Sequence, residues 1–205
     1  FFKCAQRYGV DVIGGDTTRG PRNLCVTAIG ELPAGQALRR DGAQAGDDVW
    51  ISGQPGLAAL GLAHLQGKTA LPELLARRCV AALQRPLPRV ELGFRLRGLA
   101  TAAIDVSDGL VADLGHILER SGLAADLCEG QFPLLPPGSE PKQAREAQLG
   151  GGDDYELCFT TASADRQQVV MLAAELDLPL WRIGRTVAAD AGRPAGEVRL
   201  SDADG

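Results

Sequence analysis

Histidine is scarce in this 205-residue chain, and cysteine never occurs as a close pair. The two histidines, His64 and His116, fall in helical patterns with no nucleophile near them in sequence. A Ser-His-Asp hydrolase is therefore a poor match. The five cysteines, Cys4, Cys25, Cys79, Cys128 and Cys158, are odd in number, scattered, and form no C-x-x-C. That pattern argues against a zinc site or a disulfide framework and leads to the expectation of a reducing cytoplasm. No apolar run approaches the roughly 20 residues that span a bilayer, and no signal peptide is visible. No membrane partner is expected. Basic residues do not outnumber acidic ones: 21 Lys and Arg face 26 Asp and Glu, a net charge of −5. A nucleic-acid surface would normally be basic, so no nucleic-acid partner is expected. No G-x-G-x-x-G follows a strand pattern. Gly67-Lys68-Thr69 suggests a P-loop, but Leu62 stands where its first glycine is required, and a helix precedes it.

What is present is a set of three acidic glycine turns, each beside a strand-like stretch. The central one is Ile104-Asp105-Val106-Ser107-Asp108-Gly109-Leu110. Thr101 to Ile104 reads as a short buried strand. After the turn, Leu110, Val111, Leu114, Ile117 and Leu118 share one helical face, and Gly122 stops the helix. Two carboxylates three residues apart thus sit between strand and helix. Backbone N–H groups at a helix start can hold an anion, and carboxylates hold a hard cation such as Mg²⁺. The alternative is structural: Asp108 as an N-cap and Asp105 as a surface residue. The first turn, Gly14-Gly15-Asp16-Thr17-Thr18-Arg19-Gly20, follows the strand-like Val10 to Ile13 and is open to the same two interpretations. The last, Gly150-Gly151-Gly152-Asp153-Asp154-Tyr155-Glu156-Leu157, places three carboxylates beside three glycines. Like charges that close need a cation, donors or water to relieve them.

The remaining pattern is mixed helix and strand. Phe1 to Tyr8 reads as the end of a helix and Asn23 to Leu32 as a strand. A Gly-rich linker follows, with Arg39 and Arg40 as solvated side chains or phosphate ligands. Strands are expected at 48–52, 124–128, 155–160, 180–183 and 197–200. Helices are expected at 57–65, from Pro72 to the Arg85-Pro86 break, at 90–99, near 142–148 and at 164–176. The start, Phe1-Phe2-Lys3-Cys4 without Met, suggests a piece of a longer protein. Oxygen-rich turns without a cysteine or histidine cluster point to Mg²⁺ and phosphate chemistry.

In order and spacing, the three blocks resemble the signatures of the thiamine-monophosphate kinase family. That family is related to aminoimidazole ribonucleotide synthetase, selenophosphate synthetase and the hydrogenase-maturation dehydratase. The resemblance covers nearly the whole chain. It implies a mixed α/β fold: residues 1–36 as the end of an N-terminal ferredoxin-like ATP/Mg-binding domain, then 37–205 as a C-terminal α/β domain of the aminoimidazole ribonucleotide synthetase type, incomplete at its C-terminus. The implied reaction transfers phosphate from ATP to thiamine monophosphate in line, assisted by several Mg²⁺ ions. The implied roles are Asp16, Asp105 and Asp108 on Mg²⁺, with Gly15, Asp16, Arg40 and Ser107 on ATP. Asp153 would contact the thiamine phosphate, where many members carry Glu. No residue is expected to act as a general base, because the attacking phosphate is already an anion. The implied whole protein is cytoplasmic and homodimeric.

Two departures stand against the resemblance. The family's N-terminal half, with further Mg²⁺ aspartates and a substrate histidine, has no counterpart here, nor does an aromatic residue near the family's C-terminus. The fragment alone is expected to be inactive. The rival expectations are another ATP-using enzyme of the same superfamily and a non-catalytic nucleotide-binding fragment.

Overall fold

The computed structural model describes residues 1–201. The chain divides into two compact units, Phe1–Gln36 and Ala37–Gly205.

The first unit holds one helix, α1 (Phe2–Arg7), which ends before Gly9. The strands expected at 10–13 and 23–32 do not form. A strand persists only when its N–H and C=O groups find a ladder partner, and these stretches pair with no strand among the described residues. Their apolar side chains consequently stand in solvent: Ile13 is 88% exposed, Leu24 97% and Ile29 83%.

The second unit is built on a six-stranded sheet flanked by helices. Its strands are β1 (Asp48–Ser52), β2 (Ala100–Asp105), β3 (Leu123–Cys128), β4 (Leu157–Thr161), β5 (Leu180–Ala188) and β6 (Val198–Ser201). They lie in the order β2-β4-β1-β5-β3-β6. All neighbours are antiparallel except β3 and β6. Strand β1 is buried at all five positions because both faces are covered. On one face Val49 and Ile51 join Ile104 and the apolar stripe of α5 (Leu110–Ser121). Leu110, Leu114, Ile117 and Leu118 of that stripe are fully buried, each stabilising the fold by about 1.5–3 kcal/mol. On the other face Trp50 stacks on Phe159 at 6.3 Å between ring centroids. These rings pack with Leu92 and Leu96 of α4 (Val90–Leu96) and Val169 and Leu172 of α7 (Arg166–Glu175). A satellite core joins α2 (Leu57–Leu65), α3 (Glu73–Gln84) and α6 (Pro141–Gly150).

The topology gives the sheet one chemically special end. Strands β1 and β2 are both antiparallel to β4, so they run the same way and finish where β4 and β5 begin. Ser52, Asp105 and the 150–156 turn therefore meet at that end.

Three boundaries differ from the pattern. Strand β4 opens at Leu157 rather than at Tyr155, because Tyr155 has φ 52°, a left-handed conformation that no strand accommodates. The helix expected from Ala164 begins with a 3-10 turn, Ser163–Asp165, and Ser163 does not cap it. Strand β5 does not stop at Gly184 but passes through it. A Cβ at that position would lie 2.1 Å from the Asp126 carbonyl oxygen, so glycine lets β5 approach β3 closely. Gly184→Ala is expected to lower stability by about 1–3 kcal/mol. Gly93→Ala, in an open stretch of α4, should raise it by up to ~1 kcal/mol. Urea midpoints of the two variants, moving in opposite directions, check this.

Candidate active site

The central turn is held from inside by one carboxylate. Asp113, in the first turn of α5 and only 2% exposed, accepts hydrogen bonds at Oδ2 from the backbone N–H groups of Ser107 (2.9 Å), Asp108 (3.0 Å) and Gly109 (3.1 Å). This corrects two expectations. These N–H groups are already satisfied and are not an open anion cradle. Nor does Asp108 cap α5: Gly109 is the N-cap residue, and no side chain there makes a capping bond.

The 150–156 turn is clamped onto this one by backbone bonds. Asp153 N–H donates to the Ser107 carbonyl at 2.9 Å, Tyr155 N–H to the Val106 carbonyl at 2.9 Å, and Val106 N–H to the Glu156 carbonyl at 2.8 Å. So close an approach demands glycine. A Cβ on Gly152 would stand 2.3 Å from the Ser107 carbonyl oxygen, and one on Gly109 2.8 Å from that of Gly150. The clamp also holds Asp153 (φ 65°) and Tyr155 (φ 52°) in the left-handed region, a strain that the surrounding structure must impose.

That geometry sorts the acidic block onto two sides. Asp153 and Tyr155 are exposed together with Asp105 and Asp108, while Ser107 is half-buried between them. The Tyr155 phenol is held above its ordinary pKa, first by the charge of Asp153 and further by Asp105 and Asp108. The three carboxylates thus share one negative face. Asp154 and Glu156 turn the other way and line a cleft of about 760 Å³. Glu156, 7% exposed, accepts two hydrogen bonds from Arg89 (2.6 and 2.5 Å) and one from the Ser52 hydroxyl (2.5 Å). Asp154 accepts from the N–H groups of Gly56 (2.6 Å) and Ala58 (3.1 Å) at the start of α2. Burial pushes its pKa up to about 6, against the downward pull of those two N–H donors.

The remaining expected site residues are Arg40, Gly15 and Asp16. The backbone of Arg40 meets the last turn of α5, where its carbonyl accepts from the Ser121 hydroxyl. The carbonyl of the preceding Arg39 accepts from Ala103 N–H at 2.9 Å, which sets this segment beside β2, two residues before Asp105. Gly15 and Asp16 belong to the first unit, where the Asp16 carboxylate accepts from Thr17 N–H at 2.7 Å. His64 accepts from Leu71 N–H and His116 is half-exposed beside Glu119, structural and surface positions as expected. Asp113 and the Arg89–Glu156 pair were missed as organising residues. The available signal was Asp113 four positions after Gly109, at the start of an otherwise apolar helix face.

Carboxylate oxygens alone, without sulfur or imidazole, suit a hard cation. Among the described residues no three His, Cys, Asp or Glu side chains form a ready cage. Mg²⁺ fits such a site nonetheless, because it commonly uses one or two carboxylates and completes its shell with water and substrate phosphates.

Residues 44–196 match the family model "AIR synthase related protein, C-terminal domain". The chain belongs to this family. It is 40% identical over 191 residues to the thiamine-monophosphate kinase of Salmonella typhimurium, covering 91% of this chain and 59% of that protein. It is 34% identical over 189 residues to that of Bacillus subtilis, covering 89% and 58%. The chain thus spans about three fifths of the curated relatives it matches. The solved thiamine-monophosphate kinase of Stenotrophomonas maltophilia superposes with a TM-score of 0.90 at 47% identity, over 98% of this chain and 64% of that one. A hydrogenase maturation protein, HypE, shares the fold at 21% identity, with a TM-score of 0.72 over 99% of this chain and 63% of its own.

Two outcomes are expected of the AIR synthase-type domain. Asp113→Ala strands three N–H groups and should cost about 2–4 kcal/mol, whereas Asp113→Asn, which keeps one acceptor oxygen, should cost less; denaturant unfolding of both measures it. Asp154 supplies a pH dependence. Its folded pKa lies above its unfolded value, so its contribution to stability is full below about pH 4 and is lost as pH rises through about 6. Asp154→Asn should flatten the melting temperature over that window.

Proposed function

We propose that the whole protein phosphorylates thiamine monophosphate to thiamine diphosphate with ATP, and that this chain carries part of its nucleotide and acceptor site. The carrying observation is the shared face of Asp105, Asp108 and Asp153, held by the clamp between the two turns, in a chain resembling thiamine-monophosphate kinases over most of its length. A relative, AaThiL, has been solved with AMPPCP and TMP, which supports ATP and thiamine monophosphate as the two substrates.

In this mechanism an oxygen of the acceptor phosphate attacks the γ-phosphorus of ATP in line, and ADP leaves. Two polyanions must meet beside three carboxylates, which is unfavourable without cations. Bound Mg²⁺ supplies charge neutralisation and orientation of the transferring group. Asp105 and Asp108 would hold it here, and Asp16 is read as a Mg²⁺ ligand of the whole protein. Ser107, Gly15 and Arg40 would contact the nucleotide. Asp153 would face the acceptor, one methylene shorter than a glutamate. None of these groups needs to take a proton, since the nucleophile is an anion. The first unit is read as the end of an ATP/Mg-binding domain whose exposed apolar strand-like stretches await their sheet partners. The whole protein is read as a cytoplasmic homodimer; no helix among the described residues is long and apolar enough to cross a membrane.

The test offers ATP with thiamine monophosphate, formylglycinamidine ribonucleotide or selenide to the full-length gene product. Turnover of thiamine monophosphate alone is expected, and preference for either other acceptor overturns the assignment. Asp105→Asn should lower kcat/KM by on the order of a hundredfold while the melting temperature holds. Mn²⁺ should partly replace Mg²⁺. Residues 1–205 alone should retain weak Mg²⁺-dependent nucleotide binding without turnover.

A further inference from the structure

We propose that the cleft on the far side of the acidic block binds a small organic anion, a flat apolar body carrying one phosphate, sulfonate or carboxylate group. The inference stands independently of the reaction proposed above.

The cleft lies at the end of β1 and the start of β5, closed by the loops after α3 and before α6. Its volume of about 760 Å³ is that of a small-molecule site, and its walls are mainly apolar, as in most such sites. Leu57 and Trp181 form its interior, while Leu87 and Leu134 stand at the lip, 54% and 84% exposed. The Trp181 ring is fixed by its N–H bond to the Gly53 carbonyl (2.9 Å). Pro86, Pro133, Pro137 and Pro179 frame the opening, and their locked φ angles favour a preformed shape. Apolar side chains this exposed around a fixed indole gain contact area when a flat body enters.

The charges in the cleft do not cancel. Arg89 is neutralised by Glu156. Asp154 is committed to the start of α2. Arg78 on α3 and Arg85, the residue that ends that helix, also line the cleft, and neither pairs with a carboxylate among the described residues. Arg78 donates only to the Gln54 side-chain carbonyl, a neutral partner. Two guanidiniums beside an apolar cavity select an anion with an apolar body: a cation is repelled, and a neutral ligand leaves the planar donors unused. Because Asp154 and Glu156 alternate with Asp153 and Tyr155, an occupant would touch the segment that shapes the acidic face.

The probe is 1-anilinonaphthalene-8-sulfonate, titrated by fluorescence into the full-length gene product, with uncharged N-phenyl-1-naphthylamine as its control. One saturable sulfonate site is expected. Arg78→Ala with Arg85→Ala should raise its Kd about tenfold or more, while Lys at both positions restores most of the affinity and the neutral dye changes less than twofold. Leu134→Glu, at an exposed position, should weaken the sulfonate probe similarly without touching the core. Competition identifies the natural source of the anion. Displacement by thiamine monophosphate or diphosphate would support the cleft as a site for those esters, and lack of displacement would support a separate effector site. The proposal is overturned if no saturable site exists, if the arginine and Leu134 variants leave Kd unchanged, or if both dyes weaken equally.

Discussion

Three peptide N–H groups ending on one buried oxygen of Asp113 are the constraint on which this site depends. Without that acceptor, three donors of the turn from Ser107 to Gly109 would lose the one partner they share. With it, the turn is rigid, and the carboxylates of Asp105 and Asp108 project outward because the backbone between them is tied inward. The negative charge of Asp113 also lies at the start of α5, where the helix dipole favours it. An acidic residue that touches no ligand thus decides where the acidic residues around it point.

The second constraint is the clamp between the two turns. Its backbone bonds force Asp153 and Tyr155 into left-handed conformations, and that twist divides four consecutive side chains between two environments. Asp153 and Tyr155 join the exposed acidic face. Asp154 and Glu156 are drawn into structural work, capping α2 and pairing with Arg89 and Ser52. Charge repulsion within the block is relieved by this separation and by donors, so only part of its charge remains to attract a cation. The glycines serve the same end, since Gly109 and Gly152 permit an approach that any side chain would block.

The two units differ in how far each completes itself. The second forms a six-stranded sheet with helices on both faces and buries an apolar core on each. The first leaves Ile13, Leu24 and Ile29 in solvent and forms a single short helix. Local sequence supports strands at 10–13 and 23–32, but a strand is a cooperative object whose hydrogen bonds belong to two segments.

Much was legible without coordinates. The α5 face followed from the spacing of Leu110, Leu114, Ile117 and Leu118, because a 3.6-residue period is a local property. The position of β1, the helix stop at Gly122 and the two acidic turns of the second unit were equally local. The family resemblance rested on short blocks whose residue order survives in sequence. What only the tertiary structure decided was partnership. Asp113 looked like one more polar residue on a helix, yet burial and three donors make it the anchor of the turn. Asp154 and Glu156 were indistinguishable from Asp153 by composition, and the clamp alone separates them. Gly184 read as a strand end until the neighbouring strand showed why a side chain cannot fit there. Sequence determines which residues can form a helix face or an acidic turn, because those preferences act over a few bonds. Which group Asp154 or Glu156 meets depends on segments about 100 residues away, and only the folded sheet brings those together.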